Sequence, residues 1–372
     1  MGLRLLYAAS EHDADILYAT GFFAPDAFLC LIAGSRTILV MSDLEMDRAK
    51  RESKATHVWS WTQMAKRAVK GPGPARVEHV IAACLMRLGV KSAEVPGTFP
   101  LGLARKLEGL KIRLRVAPEP FLPEREIKTR DEVKKIEASL RAAEAGLLAG
   151  IDALRDTTIS RDGWLRRGGS KFTSEDLRGV IDSTILKLGG IPMRTICAGG
   201  DQAVDPHEIG HGPLRAHLPV VMDIFPRSQS TGYFGDLTRT VVRGRASEKL
   251  KEVYALVEEG TRLGHRSIHD GADGRKIHED ILALFDSRGF RTGMKDGRMQ
   301  GFFHGTGHGL GLDIHEPPSI SRRGSILRAG HVVTVEPGLY YLGLGGVRIE
   351  DVALVTMSGS RCLTRVPKFL EI

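Results

Sequence analysis

His304-Gly305-Thr306-Gly307-His308-Gly309-Leu310-Gly311-Leu312-Asp313-Ile314-His315-Glu316 sets three histidines into a run with four glycines. Glycine at this density lets backbone come close to something; the other reading of such a run is a flexible surface loop. Two familiar motifs are excluded. The glycines do not follow the dinucleotide pattern, and no strand leads in with a helix behind. The run is not the HExxH zinc helix either.

Outward from this run stand four acids in strand-like apolar settings. Asp223 follows Val220-Val221-Met222, and Asp236 sits in Gly235-Asp236-Leu237-Thr238-Arg239-Thr240. Glu336 ends Val332-Val333-Thr334-Val335, and Glu350 lies in Gly346-Val347-Arg348-Ile349-Glu350. An acid is costly to bury without a partner, so any one of them alone reads as a strand-end carboxylate facing water. Four together read differently. Four carboxylates and a neutral imidazole carry −4, which two divalent cations balance with +4. Without metal such acids repel one another and take up protons. Oxygen-rich sites with one imidazole suit manganese, with cobalt, iron or zinc as other candidates. Metal pairs of this kind lie ~3.5–4 Å apart and serve hydrolysis.

Taken in order, Asp223, the GDLTRT strand, HGTGHGLGLDIHE, TVEPGLY and GVRIED resemble the creatinase-like, or "pita-bread", metallopeptidases, the family of methionine aminopeptidase, aminopeptidase P and prolidase. Ile16-Leu17-Tyr18-Ala19-Thr20-Gly21-Phe22 resembles a segment near the start of prolidases. The resemblance implies that Asp236 and Glu350 bridge two metals, that His308 and Glu336 complete one, and that Asp223 chelates the other. It implies a bridging water or hydroxide as nucleophile, Glu336 as its general base, His207 holding substrate and the tetrahedral intermediate, and His304 and His315 lining the substrate site. Arg348 alternates with Ile349 and so shares a face with Glu350, placed to orient a ligand carboxylate or to contact substrate. Arg322 or Arg323 resembles the arginine that holds a dipeptide's C-terminal carboxylate in prolidases; a guanidinium fork matches that group well. The sequence departs from the family where the usual Asp-x-Gly is Asp223-Ile224-Phe225-Pro226, and the turn from Asp223 to Asp236 is slightly longer than usual.

The activity expected on this basis is hydrolysis of Xaa-Pro bonds in small peptides, with prolidase favoured over Xaa-Pro aminopeptidase. A creatinase-type amidinohydrolase and a non-catalytic relative share the scaffold, but both usually show eroded ligand sets, and all five ligand positions are filled here. A homodimer is implied by the resemblance alone.

The rest of the chain bounds these expectations. Ala117-Pro118-Glu119-Pro120-Phe121-Leu122-Pro123 reads as a linker, and Thr129-Arg130-Asp131-Glu132 as a capping box opening a long helix through Ile136, Leu140, Leu147, Leu148 and Ile151. The expected organisation is an α/β creatinase-like domain over 1–122 and an α+β pita-bread catalytic domain over 128–372. In the first, Phe28–Ile32 and Thr37–Met41 read as strands about a Gly34-Ser35 turn, and Gly71-Pro72-Gly73-Pro74 as a breaker. In the second, strands are expected over Pro219–Phe225, Tyr233–Val242, His331–Glu336 and Val347–Thr356. The net charge of +8 is spread among acids, as in Arg130-Asp131-Glu132-Val133-Lys134-Lys135, which disfavours nucleic acid. No apolar run reaches membrane-spanning length, and the start does not read as a signal peptide. The four scattered cysteines form no CxxC pair and favour a reduced, cytoplasmic setting.

Overall fold

Thr129 and Glu132 cap each other: the Thr129 hydroxyl accepts from the Glu132 N–H at 3.3 Å and the Glu132 carboxylate accepts from the Thr129 N–H at 2.8 Å. That box starts the helix Arg130–Arg155. The computed structural model describes residues 2–68 and 75–372, so Gly71-Pro72-Gly73-Pro74 lies outside the described residues. The chain divides into a unit Met1–Arg125 and a unit Glu126–Ile372.

The first unit is a six-stranded sheet flanked by helices. In spatial order its strands are His57–Ser60, Arg36–Met41, Phe28–Ala33, Arg4–Ala8, Ser92–Val95 and Arg113–Val116. The three central strands pair antiparallel and the outer pairings are parallel. Gly34 turns the first hairpin at φ 62°, a left-handed conformation that glycine adopts without a Cβ penalty. The proline-rich stretch expected to be a linker belongs to this unit's core: Phe121 and Leu122 are 2% and 1% exposed, in a cluster with Leu6, Phe22, Phe28 and Leu39. Burying side chains of that size contributes ~1.5–3 kcal/mol each, which outweighs the tendency of nearby prolines to mark a boundary.

The second unit is α+β. One sheet pairs Ile196–Gly199, Pro219–Ile224 and Leu237–Val242 antiparallel. Another runs, in order, Glu316–Ile320, Gly307–Gly309, Val332–Val335, Asp351–Val355 and Ser360–Cys362, again antiparallel. Gly338–Tyr341 and Gly345–Arg348 form a separate hairpin. Helices Arg130–Arg155 and Ser174–Lys187 cover the first sheet through Leu147, Ile151, Leu177 and Ile181 against Val220, Met222, Leu237 and Val241. Helices Glu248–Ser267 and Gly274–Ser287 cover the second through Val253, Val257, Ile281 and Phe285 against Val333, Val335 and Ile349. The first helix pair is close because Gly146 and Gly150 face Ile181 and Ile185. Leu148, expected on the inner stripe, is 42% exposed; the stripe passes through Leu147 and Ile151 instead.

The long strand expected over Val347–Thr356 is two strands, Gly345–Arg348 and Asp351–Val355, with Ile349 and Glu350 between them. Glu350 donates its N–H to the Thr238 carbonyl at 3.1 Å. The break is where the chain passes from the hairpin to the larger sheet, and it turns an acid that would sit in a strand into one that faces the other sheet.

Candidate active site

Six separate segments bring their acids and histidines to one cavity of about 560 Å³. Its lining includes Asp223, Asp236, His308, Glu336 and Glu350, together with His207, His304, His315 and Arg348. Asp223 comes from the end of the Pro219–Ile224 strand, where it pairs with Thr238. Asp236 stands just before the next strand. Glu336 follows Val332–Val335, its N–H held by the Thr306 carbonyl at 2.7 Å.

His308 is the hinge of the arrangement. Its Nδ1 lies 3.0 Å from the Gly309 carbonyl, which can only accept, so Nδ1 carries the proton. Nε2 keeps its lone pair and faces Glu336 at 3.5 Å and Asp236 at 3.7 Å. Burial, and then the neighbouring His315, push its pKa down to about 4, so the ring is neutral at ordinary pH. Donor atoms of Asp236, His308 and Glu350 all lie within 4.8 Å of one another.

The acids are strained by one another. Burial first, then Glu350, Asp223 and Glu336, raises Asp236 well above the usual carboxylate range. Glu350 is raised likewise by burial, then Glu336 and Asp223. Burial lifts Glu336 to about 8, with Asp223 adding to it and Arg348 opposing. Asp223 Oδ1 is buried with no hydrogen-bond partner among the described residues. Acids at such separations, a neutral imidazole offering a lone pair and an orphaned carboxylate oxygen are what divalent cations require of oxygen and nitrogen donors.

Around the acids runs a second network. Arg348 is 3% exposed. Its Nη2 donates to Asp223 Oδ2 at 2.5 Å, its Nη1 to the Tyr340 hydroxyl at 2.9 Å and its Nε to Thr238 Oγ1 at 3.2 Å. Thr238 in turn donates to Glu350 Oε2 at 2.8 Å. Tyr340 lies 2.9 Å from His304 Nε2; because His304 Nδ1 is committed to the Gly305 carbonyl at 2.8 Å, Nε2 accepts the tyrosine proton. Burial, then Arg348, lowers His304 to about 3. The rings of His308 and His315 meet edge to face at 4.3 Å.

The sequence reading missed Tyr340, which alternates with Tyr341 in Gly338-Leu339-Tyr340-Tyr341 and could have been found by asking which of the two faces Arg348. It also missed the apolar walls, Ile196, Phe225, Phe303 and Ile314, and the acid Asp205 at the rim. Arg322 and Arg323 are exposed, and neither lines the cavity. Two glycines of the 304–316 run are required by close backbone approach, and Gly307, with Gly305, also lines the cavity. A Cβ on Gly307 would stand 1.9 Å from the Thr334 carbonyl, and one on Gly309 2.3 Å from that of Pro317. The backbone they bring close is the neighbouring strands. A second group of donor types, His265, Asp351 and Cys362, lies apart from this cavity. There Arg239 at 2.7 Å and Lys368 at 2.6 Å already neutralise Asp351.

The sequence model of metallopeptidase family M24 matches residues 134–357, and that of the creatinase/prolidase N-terminal domain matches residues 5–114. The chain belongs to metallopeptidase family M24. An uncharacterized peptidase of Bacillus subtilis is 42% identical over 367 residues, 97% of this chain and 94% of its own length. The Xaa-Pro dipeptidase of Pyrococcus horikoshii is 28% identical over 369 residues, 96% of this chain and 92% of its own. Among solved structures, an X-Pro aminopeptidase from Thermotoga maritima superposes with a TM-score of 0.83 at 23% identity, covering 100% of this chain and 98% of its own. A pita-bread catalytic unit thus follows a creatinase-type N-terminal unit, and the chain is a metallopeptidase. Among the described residues no helix is long and apolar enough to cross a membrane.

Proposed function

We propose that this M24 enzyme hydrolyses the bond between any residue and a following proline, using two divalent ions, manganese foremost. The observation that carries this is the convergence of Asp223, Asp236, His308, Glu336 and Glu350 in one cavity. These five would hold the pair, Asp236 and Glu350 serving both ions, His308 and Glu336 one, and Asp223 the other. When bound, such a pair acidifies water and polarises the scissile carbonyl.

The protein's own groups do the rest. Glu336 lines the cavity, with its carboxylate placed to take the proton of the attacking water. His207, exposed at the cavity rim, donates to the oxygen on which charge develops. His304 is held as a neutral ring by Tyr340 and Gly305, and with His315, Phe225 and Phe303 it forms an aromatic wall for the proline ring. The Xaa-Pro bond is a tertiary amide without an N–H, so a site for it must work through the carbonyl, the free amine and the ring. The names of the Pyrococcus and Thermotoga relatives support proline as the residue after the cut. A homodimer is proposed with it on family grounds; a single monomeric mass by light scattering at micromolar concentration would refute that part.

The test is hydrolysis by manganese-loaded enzyme of Ala-Pro-Ala, Ala-Ala-Ala and creatine. Cleavage confined to the proline peptide supports the reading. Equal cleavage of the two tripeptides removes proline selectivity, and turnover of creatine alone assigns an amidinohydrolase.

A further inference from the structure

A dipeptide ending in proline carries its carboxylate on the residue next to the scissile bond, so a dipeptidase must meet that charge inside its cavity. Among the described residues lining this cavity, Arg348 is the one arginine or lysine. It is committed. Asp223 holds its Nη2 at 2.5 Å, Tyr340 and the Pro206 carbonyl hold its Nη1 at 2.9 and 3.4 Å, and Thr238 holds its Nε at 3.2 Å. A carboxylate reaching Arg348 would compete with the buried Asp223 for the same guanidinium. Arg322 and Arg323 are exposed and outside the lining.

The rim supplies the opposite charge. Asp205 is exposed and lines the cavity beside His207, whose backbone N–H donates to Asp205 Oδ1 at 3.2 Å. A carboxylate entering here loses water, finds no free fork and meets a like charge. In a longer peptide the proline carboxyl is a neutral amide, and the negative charge moves on by ~3.5 Å for each added residue.

We infer that the cavity selects peptides in which proline is followed by at least one more residue, so that the enzyme removes the N-terminal residue from Xaa-Pro-Yaa chains and discriminates against Xaa-Pro dipeptides, with Asp205 a specificity-determining residue. This rests on the Xaa-Pro reading above. The experiment compares kcat/KM for Ala-Pro, Ala-Pro-amide and Ala-Pro-Ala, with Ala-Ala-Ala and Ala-Ala as a proline-free pair. Ala-Pro-amide differs from Ala-Pro in little but the charge, and it should be cut at least about tenfold faster, the scale of one charge-assisted hydrogen bond. Asp205→Asn keeps the oxygen that accepts from His207. It should narrow that ratio about threefold or more, the scale of removing one like charge at a partly solvated rim, by raising kcat/KM for Ala-Pro relative to that for the amide. Ala-Pro cut as fast as its amide overturns the inference. An unchanged ratio in Asp205→Asn overturns the role given to Asp205. If Ala-Ala-Ala is cut as fast as Ala-Pro-Ala, the proline reading fails separately, and the ratio of Ala-Ala-Ala to Ala-Ala still decides the length preference.

Discussion

Glu336 carries the most weight of any single residue. It is both a proposed ligand and the proposed proton acceptor, and in the metal-free protein burial lifts its carboxyl to about 8. Glu336→Gln keeps the shape and removes the charge, and losing a general base costs ~10²–10⁴ in rate. Circular dichroism of that variant should match the parent while turnover falls by that factor; near-normal turnover would refute the role. The residue identities were legible because acids in apolar strands are costly and therefore conspicuous. Their partners were less so. Nothing in Arg348 or Tyr340 alone says that one guanidinium ties Asp223 to the tyrosine that orients His304: Arg348 and Tyr340 share a hairpin, but Asp223 lies 125 residues before Arg348 and His304 36 before Tyr340. Arg322 shows the reverse: its place before Glu336 matched a family pattern, yet the turn that carries it faces solvent.

At the scale of elements, the glycine-rich run is held by a buried ion pair. Lys128, just before the first catalytic helix, reaches Glu316 at the end of the run; their side chains are 1% and 6% exposed. Glu316 also packs against Gly311, where a Cβ would stand 2.6 Å from its carboxylate. Removing the lysine takes a charge-assisted contact from Glu316, at a cost of ~1.5–3 kcal/mol. Lys128→Met should lower the urea midpoint by that equivalent with an unchanged slope; a shift under ~0.5 kcal/mol, the size of an ordinary surface substitution, would contradict a supporting role. Helices and strands were legible from capping and periodicity, as at Thr129, whose capping box closes as expected. The break at Ile349-Glu350 was not, because an unbroken apolar alternation reads the same whether or not the chain changes sheets.

The molecule as a whole divides at Arg125/Glu126, just past the proline-rich stretch and the two buried apolar residues that belong to the first core. Its catalytic unit gathers acids that hold on to protons when no metal is bound, and this gives a pH signature. In the metal-free protein Asp236, Glu336 and Glu350 have pKa values above their unfolded ones, so the folded state binds more protons than the unfolded state between about pH 4.5 and about 8. Stability of the metal-free protein should therefore fall as pH rises through that window, the opposite of the usual carboxylate trend. Cation binding at pH 7 should release protons, read by calorimetry in two buffers of different ionisation enthalpy; an enthalpy independent of buffer would contradict it. The most direct measurement is anomalous diffraction from crystals grown with manganese. The account predicts two peaks in the cavity, one beside His308 and Glu336 and one beside Asp223, both against Asp236 and Glu350. No peak there, or peaks only at His265, Asp351 and Cys362, would contradict it.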